Sequence, residues 1–482
     1  MVDPVSVADQ DNETTFLQAK DIIEEESKDW PQIMAVLIAC LSTLSSGLFI
    51  AWPSPFIVKI TQDKDNYAIS EYQASYFTIW INVGITVFSP FFTIFSIPDI
   101  IGRKRTLLLS AFPHVSAWLM KAFSGNVYVL NLARFIAGLG DAIIFASLPA
   151  YIGETTTPKV RGVWGNSLIC SLFLGQFLMN VIGAYCSVQH TSFICLTVPV
   201  IFLVSFLKMP ESPYFYLMKG REGEAKSALQ RLRGTNAVDG ELMKLKVALE
   251  RQMSENGTWK DLIMIRSNRR ALAAAVFLRV SQVTAGFYVF ASYTQFIFEK
   301  SGGNVSSEVS SIIYIGLSFV LFSVGAYFSD KFGRQKSYMI SLSLTSAVLF
   351  LEAVHFYIDA KHSELNMESI KWFPLAGMLV YIIFSSFGVG IIPTLMLGEL
   401  FSASVKSKGV GVVTTLFGLF LFVGNYIFYL INSYTGLYGP FLLFGCCTVI
   451  SAIVTNFIVP ETKGKSLEEI QQILKGKKAA II

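Results

Sequence analysis

The sequence predicts an all-helical membrane protein in which twelve transmembrane helices form two six-helix bundles. Three observations support this fold class: the composition, a series of apolar segments, and a group of motifs that occurs twice. Hydrophobic residues make up 53% of the 482 residues and charged residues only 15%, and the mean hydropathy is +0.53. Soluble domains of this length are more polar. The lipid bilayer is therefore the expected solvent for most of the chain.

Twelve apolar segments are long enough to cross a hydrocarbon core about 30 Å thick, which takes about 20 helical residues. Helices are the expected structure, because alternation with a period of two is absent and lipid cannot satisfy the open edges of a sheet. The segments lie at 32–57, 74–97, 106–122, 127–151, 164–186, 190–208, 271–298, 309–329, 337–358, 372–397, 409–431 and 438–459.

The segments divide the chain into two halves with a charged linker between them. The predicted units are an acidic N-terminal tail, two six-helix bundles, the linker and a C-terminal tail, at 1–30, 31–208, 271–459, 209–270 and 460–482 respectively. The N-terminal tail has three glutamates where a signal peptide would have an apolar core, so the first segment is expected to be an uncleaved anchor. Amphipathic patterns at 221–233 and 241–250 predict short linker helices. These helices either brace the membrane face of the bundles or form a solvated surface.

The basic residues predict the orientation. With both termini in the cytosol, thirty of the 38 Lys and Arg residues fall on the cytosolic side and six outside. This asymmetry is a strong positive-inside signal. The six on the outer side are Lys59, Lys64, Lys121, Lys300, Lys361 and Lys371. The net charge of +4 thus reflects topology, and no nucleic-acid partner is expected. Asn304-Val-Ser306 is the one glycosylation sequon predicted to lie outside.

A group of charged motifs occurs once in each half. Asp99-Ile-Ile-Gly-Arg-Lys-Arg105 is matched by Asp330-Lys-Phe-Gly-Arg-Gln-Lys336. Two further pairs follow: Glu154 with Arg161 matches Glu399 with Lys406, and Pro210-Glu-Ser-Pro213 matches Pro460-Glu-Thr462. Their offsets of 231, 245 and 250 residues indicate a duplicated half, which is typical of transporters built from parallel repeats.

The sequence contains no evident catalytic or metal-binding set. The six cysteines lie in or beside the apolar segments without metal-ligand spacing, so burial as small apolar residues is expected. The four histidines are scattered, and no nucleophile and base can be placed on one side of the membrane. We therefore expect a protein that is not an enzyme and that needs no cofactor.

These motifs, taken in order, resemble those of the sugar porters of the major facilitator superfamily, and in particular the insect trehalose and vertebrate hexose facilitators. The resemblance covers about residues 35 to 474, and it implies two helix bundles around a central cavity and transport by alternating access. The motifs that carry it are Asp99…Gly102-Arg103-Lys104, Arg134-Phe-Ile-Ala-Gly138, Pro149-Ala-Tyr-Ile-Gly-Glu154, Pro210-Glu-Ser-Pro213, Gln282, Gly286, Phe298-Glu-Lys-Ser-Gly302, Asp330…Gly333-Arg334, Gly398-Glu-Leu-Phe401 and Pro460-Glu-Thr-Lys-Gly464.

An acid and an arginine at neighbouring helix ends can form a charge-assisted pair that holds the two bundles shut and breaks when they rock apart. The residues predicted for these gating clusters are Asp99, Arg103, Arg105, Glu154, Arg161, Asp330, Arg334, Glu399 and Lys406. The alternative is that these charges only fix topology. In the first copy Ile100 replaces the expected arginine, so the N-terminal cluster is predicted to be the weaker one.

The predicted cavity departs from the pattern that the resemblance implies. Gln282 keeps one of the side chains that bind sugar hydroxyls in the family, but Val283, Tyr288, Ile169, Ser318 and Ser386 stand where other polar or acidic groups are usual. Each unmade hydrogen bond to a polyol would cost about 1–3 kcal/mol. The candidate substrate contacts are Gln282, Arg279, Tyr288, Ser386, Thr394 and Asn180.

Three charged residues are predicted to lie within the membrane: Arg134, Asp141 and Arg279. Intramembrane charges are a default hypothesis of function with a partner to be named. Asp141 and Arg279 could face each other across the cavity, with Arg134 as a rival partner for Asp141. Arg279 either forms a structural ion pair, extends to the interface, or contacts the substrate.

The sequence thus predicts passive, facilitated transport of a sugar, with trehalose or a hexose as the first candidate substrates. The first apolar segment reads Ser45-Ser-Gly-Leu-Phe-Ile-Ala-Trp52 and lacks the acid typical of proton-driven relatives. The alternatives are a carrier of another polar or anionic solute that uses Arg279, and a sensor of the same fold that transports nothing. A monomer in the plasma membrane is expected.

Overall fold

The computed structural model describes residues 28–254, 257–362, 368–465 and 467–475, with the side chains of 251–254, 325–332, 403 and 467–468 left out. Within these ranges every regular element is helical. The N-terminal half and the linker contain α1 Trp30–Ala51, α2 Pro53–Gln62, α3 Glu71–Ser75, α4 Phe77–Ile94, α5 Ile97–Ile101, α6 Arg103–Leu109, α7 Ala111–Phe123, α8 Val127–Thr155, α9 Pro158–Trp164, α10 Ser167–Tyr185, α11 Val188–Phe206, α12 Pro213–Met218, α13 Glu222–Arg233, α14 Asp239–Ser254 and α15 Trp259–Met264.

The C-terminal half contains α16 Arg266–Thr284, α17 Phe287–Ser292, α18 Thr294–Ser301, α19 Ser307–Phe332, α20 Arg334–Lys361, α21 Phe373–Ser385, α22 Ile392–Leu400, α23 Lys406–Thr435, α24 Tyr438–Ile458 and α25 Leu467–Lys475. Ten stretches among the described residues are long and apolar enough to cross a membrane. The predicted third segment falls into the shorter helices α6 and α7, and the seventh falls into α16, α17 and α18.

Small residues let neighbouring helices of one half approach to backbone contact. A Cβ added to Gly138 of α8 would lie 2.3 Å from the backbone oxygen of Ile81 in α4. A Cβ added to Gly47 of α1 would lie 2.1 Å from the backbone oxygen of Leu172 in α10. In lipid, such close packing replaces the hydrophobic effect as the force that associates helices.

The two halves contact each other along two seams. Helix α4 packs on α23, and α10 packs on α19. The α10–α19 seam includes the parallel rings of Phe173 and Phe322, whose centroids are 4.2 Å apart. The Nδ2 of Asn166 also donates to the backbone oxygen of Phe322 at 3.2 Å.

The bundle has two ends that differ in how the halves meet. The motif end carries the repeated charged motifs around Glu154 and Glu399. The far end carries α2, α3 and α18, and here polar contacts join the halves. The Thr78 and Tyr293 hydroxyls lie 2.9 Å apart, the backbone N–H of Gln295 donates to the Ser54 hydroxyl at 3.3 Å, and Lys300 pairs with Glu71 at 3.0 Å.

The linker helices pack against the motif end of the N-terminal half. Helices α13 and α14 correspond to the two amphipathic stretches that the sequence predicts. Arg233 of α13 is buried, pairs with Glu241 at 2.7 Å, and donates to the backbone oxygen of Thr155 at 2.9 Å. Arg231 donates to the backbone oxygen of Lys208. These contacts favour bracing over a merely solvated surface.

Candidate functional site

The first copy of the repeated motif forms a compact cluster at the motif end. Arg103 pairs with Asp99 at 2.8 Å and with Glu154 at 2.9 Å, and only 4% of its surface is exposed. The same Glu154 oxygen, Oε2, accepts a hydrogen bond from the Ser212 hydroxyl. Glu211 accepts the backbone N–H of Lys104 at 2.8 Å, at the start of α6. The Pro-Glu-Ser-Pro motif therefore ties the end of α11 to the starts of both α6 and α12.

The second copy repeats this arrangement. Arg334 pairs with Glu399 at 3.2 Å, and the Thr462 hydroxyl donates to Glu399. Glu461 accepts the backbone N–H groups of Arg334 at 2.9 Å and Gln335 at 3.2 Å. Burial raises the pKa of Glu461, but its backbone hydrogen bonds outweigh burial and leave the pKa below its usual range. The side chain of Asp330 lies outside the described residues.

Glycine is required at one position in each copy for two reasons. Gly102 has φ +106° and Gly333 has φ +89°, a region that other residues rarely adopt. A Cβ at Gly102 would also lie 2.3 Å from the Glu211 carboxylate, and one at Gly333 would lie 2.8 Å from that of Glu461. The glycine thus lets the motif glutamate reach the helix start.

Each Arg–Glu pair joins helices of the same half. The expectation that these pairs bind one bundle to the other is therefore corrected: they are intact while the motif end is open. Arg105 is exposed and has no ion pair in the part of the chain that the structure describes. Arg161 donates to the backbone oxygen of Gly153 at 3.4 Å, and Lys406 to that of Gly398 at 2.8 Å.

A cavity of about 720 Å³ opens at the motif end between the two halves. Helices α4, α8 and α9 line it on one side and α23 on the other. Its wall includes Ser89, Ala146, Arg161, Lys406 and Thr414. The far end is closed over it by the contacts of Thr78 with Tyr293, between α17 and α18, and of Ser54 with Gln295 of α18. The cavity is thus open at the motif end, while described residues of both halves meet at the far end.

Four of the six predicted substrate contacts cluster in the C-terminal half. The Arg279 Nη1 donates to the Gln282 Oε1 at 2.8 Å and to the Thr394 Oγ1 at 3.3 Å. The guanidinium lies over the Phe417 ring with 4.6 Å to the centroid, and the Tyr288 phenol is one of the groups that act on it.

Two helix interruptions lie beside this cluster. Residues Ser386–Gly390 form one π-helical turn between α21 and α22. Helix α16 ends before Gly286, which has φ +83°. Gln282 connects the two, because its Nε2 donates to the backbone oxygens of Val389 at 2.9 Å and Gly390 at 3.1 Å. Secondary transporters typically bind their solutes at interrupted helices near the middle of the membrane.

The comparisons with known proteins agree on the kind of protein. The model of the family described as "Sugar (and other) transporter" matches residues 33–474. The chain belongs to this family. It is a family of multi-pass membrane transporters and not of enzymes.

Among curated relatives, the facilitated trehalose transporters Tret1 of Polypedilum vanderplanki and Drosophila virilis are each 31% identical over 463 residues, or 93% of this chain. The alignment covers 89% of the first relative but 49% of the second, so the chain spans about half the length of several relatives it matches. Two structures of the xylose transporter XylE share the fold. One, a proton:xylose symporter bound to 6-bromo-6-deoxy-D-glucose, has a TM-score of 0.72 at 20% identity, covering 93% of this chain and 100% of that one. The other, an inward-open form from E. coli, has a TM-score of 0.73 at 19% identity, covering 91% and 98%.

Two predicted contacts of this family member lie outside the cluster. The Ser386 hydroxyl donates to the backbone oxygen of Ile382 on its own helix. The Asn180 Oδ1 accepts from the Ser54 hydroxyl at 2.8 Å, and its Nδ2 donates to the backbone oxygen of Gln176 at 2.9 Å. Asn180 thereby belongs to the far-end closure, through Ser54.

The predicted facing of Asp141 and Arg279 is wrong. Asp141 lies 3.3 Å from the Nε2 of His114 in α7, whose Nδ1 lies 2.9 Å from the Ser45 hydroxyl in α1. Arg134 donates to the backbone oxygen of Phe49 at 2.8 Å and is the other charge that acts on Asp141. All of these partners belong to the N-terminal half, whereas Arg279 belongs to the C-terminal half.

Lys121, which the sequence analysis counts on the outer side, lies in the last turn of α7. It is buried, with its ammonium 4.0 Å from the Trp52 ring centroid, 4.7 Å from that of Phe49 and 4.8 Å from that of Trp118. Such ring faces attract a cation. This contact could not be predicted from the sequence, because Phe49 of α1, Trp52 directly after it and Trp118 of α7 come together only through the packing of those helices.

Proposed function

We propose that this protein carries a sugar across the membrane by facilitated, passive transport. The observation that carries the proposal is the cavity between two repeated halves, open at the motif end and closed at the far end. Trehalose is the first candidate, because the relatives are facilitated trehalose transporters, and a hexose is the second. The absence of an acid from Ser45–Trp52 supports a passive carrier.

The alternating-access cycle assigns a task to each end. In the form described, solute enters or leaves the cavity past Arg161 and Lys406. Rocking of the halves would break the Thr78–Tyr293 and Ser54–Gln295 contacts and close the motif end. The Arg–Glu clusters would keep each half rigid while it moves, because they join helices within a half.

The topology that accompanies this proposal has twelve spans, with the motif end, the linker and both termini in the cytosol. The basic residues support this orientation. Asp29 pairs with Lys159 at 2.7 Å, and Arg270 donates to the backbone oxygen of Leu474 at 2.9 Å, so both ends of the described chain lie at the motif end. We propose a monomer in the plasma membrane, without a nucleic-acid partner.

Uptake into liposomes tests the function. We expect purified protein in liposomes to equilibrate a labelled sugar, with trehalose and glucose tested first, and with no dependence on a pH gradient. Empty liposomes are the control. Failure of every sugar to enter faster than into empty liposomes would contradict the proposal, and accumulation above equilibrium under a pH gradient would contradict its passive character.

Tyr293→Phe is expected to favour the form that is open at the far end. Loss of the hydroxyl removes the 2.9 Å bond to Thr78, worth about 1 kcal/mol, and shifts the equilibrium about five-fold. The measurement is far-side labelling of a cysteine at Thr86, two turns deeper on α4. Tyr72→Phe is the matched control, because Tyr72 bonds Tyr76 within the same half. Equal labelling in both variants would remove the closing role of Tyr293.

Asn304 is expected to be the glycosylated asparagine. It is exposed between α18 and α19 at the far end, which this topology places outside the cell. Treatment with a glycosidase should lower the mass of the wild type and leave Asn304→Gln unchanged. Asn256→Gln, which removes the sequon Asn256-Gly-Thr258 of the predicted cytosolic linker, is the control and should behave as the wild type. A mass shift that survives Asn304→Gln would overturn the topology.

A further inference from the structure

Arg279 is a buried cation whose bonded partners are neutral. Only 8% of its surface is exposed. Gln282 and Thr394 accept its hydrogen bonds, and the titratable groups that act on it are the phenols of Tyr288 and Tyr338. Its Nε has no hydrogen-bond partner among the described residues. A guanidinium stays charged in a protein, so the buried Arg279 requires a compensating negative charge.

No carboxylate of the described chain supplies that charge. The buried acids in those ranges are Asp141, Glu211 and Glu352. Asp141 lies beside His114, and Glu211 binds the start of α6. Glu352 of α20 lies against Gly377 of α21. The Phe417 ring compensates Arg279 only in part, as a cation–π contact does.

Arg279 lies just beyond the deep end of the cavity. Thr414 lines the cavity, and Phe417 follows it by one turn on the same face of α23. The guanidinium rests on that Phe417 ring. Arg279 does not itself line the cavity, so a solute has to pass Thr414 and reach the Phe417 turn of α23 to contact it.

The mouth of the cavity is also positive. Arg161 and Lys406 line it from opposite halves and donate to backbone oxygens. The acids that line the same cavity, Asp99, Glu154 and Glu241, are already paired with Arg103 or Arg233. Glu399 acts on Lys406 but is bonded to Arg334 and Thr462. A cavity with such walls concentrates anions.

We propose that the solute is a sugar that carries a carboxylate, as a uronic acid does, and that Arg279 binds the carboxylate. The proposal rests on the proposed function and names its substrate class. The fork of a guanidinium matches a carboxylate, and Nε–H is the donor left for it. The Tyr288 and Thr394 hydroxyls stand beside it for the sugar ring. Gln282 has both amide hydrogens bonded to the backbone, so it is poorly placed to donate to a neutral sugar.

Exchange transport in liposomes tests this. Vesicles loaded with unlabelled sugar are offered labelled D-glucuronate, D-glucose or trehalose. We expect glucuronate to be transported about 10-fold or more efficiently than either neutral sugar, because only the acid places a negative charge against the guanidinium. Arg279→Gln should lose that preference through a higher KM for glucuronate. Arg279→Lys should retain part of it.

Arg269→Gln is the matched control, because Arg269 is an exposed arginine at the start of the same helix. It should behave as the wild type. Glucose or trehalose exchange without glucuronate exchange, or an unchanged preference in folded Arg279→Gln, would overturn the proposal and leave the proposed function standing. If no sugar of either class exchanges, the proposed function itself fails. If Arg279→Gln does not fold, the proposal is tested by two other results. The wild type must prefer glucuronate over the neutral sugars, and Arg279→Lys must keep part of that preference.

Discussion

Replacing Gly138 by alanine is expected to destabilise the protein by about 3 kcal/mol or more, although it adds a single methyl group. That methyl would lie 2.3 Å from the backbone oxygen of Ile81 and 2.9 Å from the Cα of Gly84. Both atoms belong to the backbone of α4, so no side chain can rotate away. Helices α4 and α8 would have to move apart along their whole contact.

The matched control lies on the same helix. Gly153 of α8 has no atom within 4 Å of the position of an added Cβ. Gly153→Ala should therefore be neutral or stabilise the helix by up to about 1 kcal/mol. Thermal unfolding of the two variants in detergent measures the difference. Equal melting temperatures would mean that α4 and α8 do not pack through Gly84 and Gly138.

Arg103→Ala is expected to cost about 3–5 kcal/mol, the usual effect of removing one partner of a buried ion pair. Glu154 would keep only the Ser212 hydroxyl as a partner for its largely buried carboxylate. Arg334→Ala should cost less, because the Arg334–Glu399 pair is longer and more exposed than the Arg103–Glu154 pair. This order is the reverse of the sequence expectation, which took the N-terminal cluster as the weaker one because of Ile100.

Arg105→Ala serves as the control, since Arg105 is exposed two residues away. It should change the unfolding temperature little. A loss of stability in Arg105→Ala equal to that in Arg103→Ala would mean that charge at the motif end matters and the buried pair does not. A larger loss in Arg334→Ala than in Arg103→Ala would contradict the ranking by burial.

The internal repeat was the most productive signal in the sequence. Matched acids and arginines at matched distances predicted the Arg103–Glu154 and Arg334–Glu399 pairs. The roles of Ser212 and Thr462 were not predicted, although both lie in the quoted motifs, because a hydroxyl in a motif does not reveal which carboxylate it will bind. Whether a pair lies within or between halves was also out of reach, since it depends on how the helices are arranged around the cavity.

Position along a helix could be predicted, whereas direction around the helix axis could not. The sequence places Asp141 and Arg279 in the interiors of their apolar segments. Their facing was wrong, because Asp141 points toward α7, where a single histidine with no spacing signal is its neighbour. Gln282 illustrates the same limit: the residue is retained, but Arg279 and the backbone at Val389 and Gly390 occupy its hydrogen-bonding groups.

Chemical modification at Thr414 tests alternating access around this cavity most directly. Thr414→Cys, in a variant whose six native cysteines are replaced, is treated with a membrane-impermeant maleimide from either face of oriented vesicles. We predict fast modification from the motif-end face, protection by transported sugar, and loss of sugar exchange once the cysteine is modified. Equal modification from both faces at once, as in an open channel, or full exchange by the modified protein, would contradict a carrier that works through this cavity.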